Sequence, residues 1–167
     1  MLLLPICESA MRIRKFVRTF SEFEYGLVSH ALCASIKKII REFDILVAQI
    51  EYLYMEEKLS LQTMVYLLQP SKATLRILEK TCLRLVEKSV DCTGGMMIDE
   101  LHQIMLEQGD KKAREIHWQL IKDASKPFMT MLSDWIYRGT LDDLCHEFLV
   151  HEDLSVTKEA LQEDFNA

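Results

Sequence analysis

From Val28 to Leu53 the apolar residues step by four and three along the chain: Val28, Leu32, Ile36, Ile39, Phe43, Leu46, Ile50 and Leu53. No glycine or proline interrupts them. Spacing of this kind puts one side of a helix against other helices and suits no strand, whose faces alternate every second residue. Ile40, Val47 and Tyr54 form a second row at intervals of seven. That row widens the stripe beyond a two-position seam, which favours the core of a multi-helix bundle over a free coiled coil. Ser21 with Glu24 has a capping-box pattern, so the spacing predicts one helix over about 22–58, with Phe43 and Leu46 in the core.

The rest of the chain reads in the same way. Residues 6–19 predict a first helix, with Pro5 at its start and Ile6, Ala10, Ile13, Phe16 and Val17 on one face. Ser60 caps the next helix, and Pro70 should kink or break it at residues 69–71. Helix resumes from Leu75 to Val86, and residues 92–95 form a loop. A short helix over 96–108 should end at Gly109. Asp110 opens the last long helix, over about 110–138, which Pro127 should kink and Gly139 should end. Its expected core set is Ala113, Ile116, Leu120, Ile121, Ala124, Phe128, Met131, Leu132, Trp135 and Ile136. Thr140 with Asp143 suggests a further turn, and residues 147–151 are the only extended segment the pattern suggests. The expected fold is therefore all-α, an elongated bundle of long antiparallel helices in one domain over residues 1–167.

Composition narrows the function classes. The 167 residues carry a net charge of −6. Eight acids and the single base Lys158 lie in residues 142–167, giving that end −7 and leaving residues 1–141 slightly positive. The end from 151 to 167 reads as acidic and poorly ordered. The basic cluster Arg12, Arg14, Lys15 and Arg18 is too short for a nucleic-acid footprint in an acidic chain and reads as a solvated or partner-facing surface. No apolar run reaches the roughly 20 residues of a membrane span. Five scattered cysteines (Cys7, Cys33, Cys82, Cys92 and Cys145) read as reduced thiols of an intracellular protein.

Catalytic and metal chemistry finds no foothold. Cys145-His146 with His151 lacks the paired spacing of a structural zinc site. Cys92 beside Gly94-Gly95 has neither the preceding strand nor the following lysine of a phosphate loop. Acid pairs such as Glu56-Glu57 and Asp142-Asp143 read as solvated. No cofactor and no metal is expected, and no residue is assigned a catalytic role. Met96, Met97, Met105, Met129 and Met131 read as core filler or an adaptable surface. Trp135 and Tyr137 lie two apart on a helix, so with Trp135 inside, Tyr137 and Arg138 are exposed and suit an interface anchor.

Several blocks resemble a known family in consistent order. They are Leu4-Pro5-Ile6-Cys7, residues 22–32 (EFEYGLVSHAL), Leu59-Ser60-Leu61-Gln62, Leu68-Gln69-Pro70, Trp135-Ile136-Tyr137-Arg138-Gly139, Glu147-Phe148 and residues 162–166 (QEDFN). Together they resemble the N-terminal half of the gamma-tubulin complex components, which include spindle pole body components. The blocks around Tyr25 and Gln162 favour the component 2 branch. Two departures stand out. Asp143-Leu144-Cys145 replaces an aspartate-proline-tyrosine turn, and residues 88–112 match poorly.

The resemblance implies a helical first grip motif that pairs side by side with other components, component 3 foremost, in microtubule nucleation. It implies that gamma-tubulin binds only a C-terminal half, before which this chain ends, as a fragment or a shortened protein. The implied location is cytoplasmic and cytoskeletal, at a microtubule organising centre such as the centrosome or spindle pole. The candidate contact residues, chosen by their charge and helix position, are Arg12, Arg14, Arg18, Tyr137 and Arg138. The alternative is a helical adaptor or regulatory bundle unrelated to microtubules.

Overall fold

The computed structural model of the chain describes residues 3–88 and 93–150. Five α-helices follow one another: α1 Leu4–Phe20, α2 Gly26–Met55, α3 Leu61–Glu87, α4 Gly94–Glu107 and α5 Lys111–Arg138, with a single 3₁₀ turn at Phe23–Tyr25 before α2. Among the described residues there is no strand. The fold is an all-α bundle, as the periodicity requires.

α2 is the axis. It touches each of the other four helices, runs against α5 for much of its length, and packs α1 and α4 on its other sides, while α1 lies along α3. At about 1.5 Å per residue its 30 residues make a rod of about 45 Å. Contacts at two levels of each pair fix the directions: Phe43 of α2 lies by Lys112 of α5, and Leu3 and Ile6 near the start of α1 lie by Leu68 and Lys72 of α3. Ser35 Oγ on α2 donates to Asp123 on α5 at 2.9 Å, and Ser9 and Arg12 on α1 both reach Glu79 on α3. α5 is antiparallel to α2, and α1 is parallel to α3.

The seam of α2 packs unevenly. Val28, Leu32, Ile36, Ile40 and Ile50 are buried, whereas Ile39, Phe43, Leu46 and Leu53 are half-buried. Phe43 and Leu46 therefore edge the core instead of filling it, and Val47 and Tyr54 in the flanking row are exposed. The cause is length. Phe43 already lies across a groove from Lys112, in the first turn of α5. Beyond it α2 has lost α5, and a narrower stripe is covered.

Local signals were obeyed where they are purely local. Ser60 Oγ accepts from the Thr63 amide at 3.1 Å, Asp110 from the Lys112 amide at 3.2 Å, and Gly139 ends α5 in the left-handed region at φ 66°. Four expectations gave way. The Ser21–Glu24 box does not open α2. Ser21 instead ends α1, and Gly26, at φ +83°, turns the chain at the first residue of α2. The break allowed at Pro70 does not occur: α3 stays helical through it, because packing along both halves outweighs one missing backbone bond. α4 ends at extended Gln108, with no left-handed glycine at 109. Residues 147–150 form a bend and not a strand, for the reason given below; His151 lies outside the described residues.

Polar groups inside the bundle are paired. His117 is buried, with Nδ1 2.7 Å from the Ala113 carbonyl oxygen and Nε2 2.9 Å from Thr81 Oγ1. In the neutral ring Nδ1–H donates to the Ala113 carbonyl, and the single Thr81 hydroxyl proton is shared between Nε2 and the Ile77 carbonyl, 2.9 Å away on the other side. Burial holds its pKa below the ordinary histidine value. The unfolded chain therefore takes up a proton that the folded chain resists. This stability is present above about pH 6.5 and is lost as the pH falls below that value. Melts should lose Tm from about pH 6.5 downward, and His117→Gln should remove that part of the slope. Identical slopes in both proteins would refute the assignment.

Candidate partner surface

Three of the candidate contact residues, Arg18, Tyr137 and Arg138, lie toward one end of the bundle. Ser35 stands opposite Asp123, so α2, which starts at Gly26, runs out beside the last turns of α5. The end of α5 projects past it. Trp135 and Ile136, expected in the core, are therefore 42% and 60% exposed, because no helix lies beside them. Tyr137 is 84% exposed, as its position predicted.

After Gly139 the chain turns back. Asp143 accepts from the Glu147 and Phe148 amides at 2.9 and 2.8 Å, so both of its carboxylate oxygens hold a tight turn. The turn thus forms without the proline and tyrosine of the related pattern. It also uses the two amides that a strand would have needed for a ladder. Phe148 is thereby buried, with its ring 5.5 Å from Phe128 and 5.8 Å from Trp135.

Glu147 does what the capping box was expected to do. Its carboxylate accepts from the Leu27 amide at 2.6 Å and the Val28 amide at 3.2 Å, at the N-terminus of α2. The Gly94 amide, at the N-terminus of α4, also bonds it. Buried between two helix starts, the carboxylate meets the positive ends of two helix dipoles. Burial pushes its pKa up, and the three amides pull it back down. Gly26 and Gly94 have to be glycine here. Both have positive φ, and an added Cβ at either would overlap Glu147. In the sequence Glu147 stands out as one of the acids near the C-terminal end, as the start of the expected extended segment 147–151 and in the Glu147-Phe148 block, with no sign of a capping role. The partners lie 120 residues apart, and no local pattern connects them.

The basic residues of α1 divide. Arg12 pairs with Glu79 at 2.7 Å and Arg14 with Asp44, both across to neighbouring helices. Arg18, in the last turn of α1, is exposed and has no ion pair among the described residues. Arg138 pairs with Asp134 one turn back at 3.1 Å. α1 and α5 both run antiparallel to α2, so Arg18 lies toward the same end as Tyr137 and Arg138, while Arg12 and Arg14 lie further back. Met97 and Met131 are buried, whereas Met96 and Met129 stand exposed along a groove between α4 and α5. Among the described residues no group of three or more His, Cys, Asp or Glu side chains could hold a metal ion, and no helix is long and apolar enough to cross a membrane.

Comparison with known proteins gives a consistent picture. The sequence model of the family described as Gamma tubulin complex component N-terminal matches residues 1–167. Gamma-tubulin complex component 2 of Mus musculus is 38% identical over 165 residues, covering 98% of this chain and 18% of the relative. The spindle pole body component alp4 of Schizosaccharomyces pombe is 27% identical, covering 93% and 25%. Gamma-tubulin complex component 3 of Homo sapiens is also 27% identical, covering 92% and 18%. The chain thus spans a quarter or less of the length of these relatives.

Proposed function

Because the chain belongs to the gamma-tubulin complex component family, in its N-terminal region, we propose that it is a structural assembly module that pairs laterally with the N-terminal half of a neighbouring component, component 3 foremost. In this reading it contributes to the scaffold that nucleates microtubules, at a cytoskeletal organising centre such as a centrosome or spindle pole. It acts as a structural component and not as an enzyme. Gamma-tubulin is reached only through a C-terminal half of the family architecture that these residues do not include.

The observation that carries the proposal is the match of the family's N-terminal region along the whole chain. The physical arrangement supports it. Rigid helices present elongated flanks, and several modest contacts along such a flank can add up to a specific interface of about 1,200–2,000 Å². The exposed end of α5 offers Trp135, Tyr137 and Arg138, residue types that recur as interface anchors. Arg12, Arg14 and Arg18 on α1 would orient the neighbour, a contribution that salt weakens.

The test is size-exclusion chromatography with light scattering on mixtures. Co-elution with the N-terminal half of component 3 is expected, and none with gamma-tubulin alone. The reverse pattern would overturn the proposal, and binding to neither would favour a helical adaptor outside this complex.

A further inference from the structure

α1 and α2 run antiparallel, and two contacts fix their register. Arg14 on α1 pairs with Asp44 on α2, and Lys37 Nζ on α2 donates to Ser21 Oγ at 3.1 Å, at the end of α1. On α1, residues 14, 18 and 21 fall one turn apart along one side; on α2, residues 44, 41 and 37 do the same in the opposite direction. Between the two contacts the register therefore sets Arg18 opposite Arg41. Both are exposed, and neither has an ion pair among the described residues. Arg14, Arg18, Arg41 and Lys37 thus fall along one strip of the α1–α2 crevice, about 10 Å long, with Asp44 paired to Arg14 at one end. Like charges facing one another repel, and an isolated bundle gains nothing from that arrangement.

The surroundings specify the ligand further. Met11, one turn before Arg14 and Lys15, is 62% exposed, and Ile45, one turn after Arg41, is 53% exposed. Both lie at the Asp44 end of the crevice. A free phosphate would touch neither. We propose that this crevice binds an acidic peptide segment of a partner protein, with two carboxylates bridging Arg18 and Arg41 and an apolar residue seated between Met11 and Ile45. Guanidinium groups hold carboxylates through paired, charge-assisted hydrogen bonds, which is why arginines and not lysines occupy the middle of the strip. The site does not depend on component 3 being the neighbour: failure of peptide binding would leave lateral pairing standing, and the converse also holds.

The experiment is fluorescence anisotropy of the whole chain with a labelled glutamate-rich peptide ending in leucine. Arg18→Gln with Arg41→Gln should weaken binding about tenfold or more. Arg76→Gln with Arg114→Gln removes the same charge from exposed, unpaired sites on α3 and α5 and should leave binding unchanged. Circular dichroism checks that both variants keep their helices. Phosphate should compete no better than chloride at equal ionic strength, and phosphatidylserine vesicles should not be bound. Equal loss in the two double variants, no loss in either, displacement of the peptide by phosphate, or preference for vesicles would each overturn the assignment.

Discussion

Leu32→Ala should destabilise the bundle by about 3–5 kcal/mol. Leu32 is wholly inaccessible to solvent and lies in the same apolar cluster as Val28 and Ile36 on α2, Met97 and Leu101 on α4, and Leu120 and Ala124 on α5. α2 touches every other helix, so a cavity there is walled on all sides and cannot collapse by moving one element. Phe43→Ala removes a larger side chain yet should cost less, because Phe43 is half-buried beside an open groove that also exposes Pro70 and Lys112. Denaturant titration reads both. The midpoint should fall more for Leu32→Ala, at unchanged slope. A loss within about 0.5 kcal/mol at Leu32, the size expected of a surface position, would show that the buried face of α2 is wrongly assigned.

That comparison marks where the sequence stopped being legible. Periodicity reveals which side of α2 is apolar, and the buried face from Val28 to Ile40 follows from it. It cannot reveal how far the neighbouring helices extend. Phe43, Leu46, Val47 and Tyr54 continue the same pattern, but their exposure is decided by where α5 begins. The same limit misplaced Trp135 and Ile136 at the other end, where α5 outruns α2. Signals that close on themselves within a turn were read correctly, as at Ser60, Asp110 and Gly139. The Ser21–Glu24 box has equally good local chemistry, but a carboxylate from the far end of the chain took over its role. The proposed assembly role rests on family resemblance. No arrangement of polar groups within these residues, taken alone, would have suggested it.

Gly94→Ala should cost about 2–4 kcal/mol, from left-handed backbone strain together with overpacking. Gly94 has φ +52°, and its added Cβ would overlap the carbonyl oxygen, Cα and Cβ of Glu147. Main-chain atoms cannot swing aside as a side-chain tip can. The Asp143 turn, anchored at the Glu147 and Phe148 amides, would have to move with them. Gly26→Ala carries the same left-handed strain at φ +83°, but its nearest clash is with the Glu147 carboxylate and not with main chain. That group can rotate away, but it then abandons the Leu27 and Val28 amides, at a cost of about 1–3 kcal/mol for buried donors left without a partner. Gly109→Ala is the control: it has open space and no positive φ, and should change stability by no more than about 0.5 kcal/mol. A local reading accompanies the melt. Displacing residues 147–148 pulls Phe148 off Trp135, so tryptophan emission should shift in Gly94→Ala before global unfolding and should stay put in Gly109→Ala. If the two glycine variants melt alike and their emission is unchanged, Glu147 does not pin the starts of α2 and α4 together. The exposed end of α5 would then be free to move relative to the bundle, and it could not serve as a preformed partner surface.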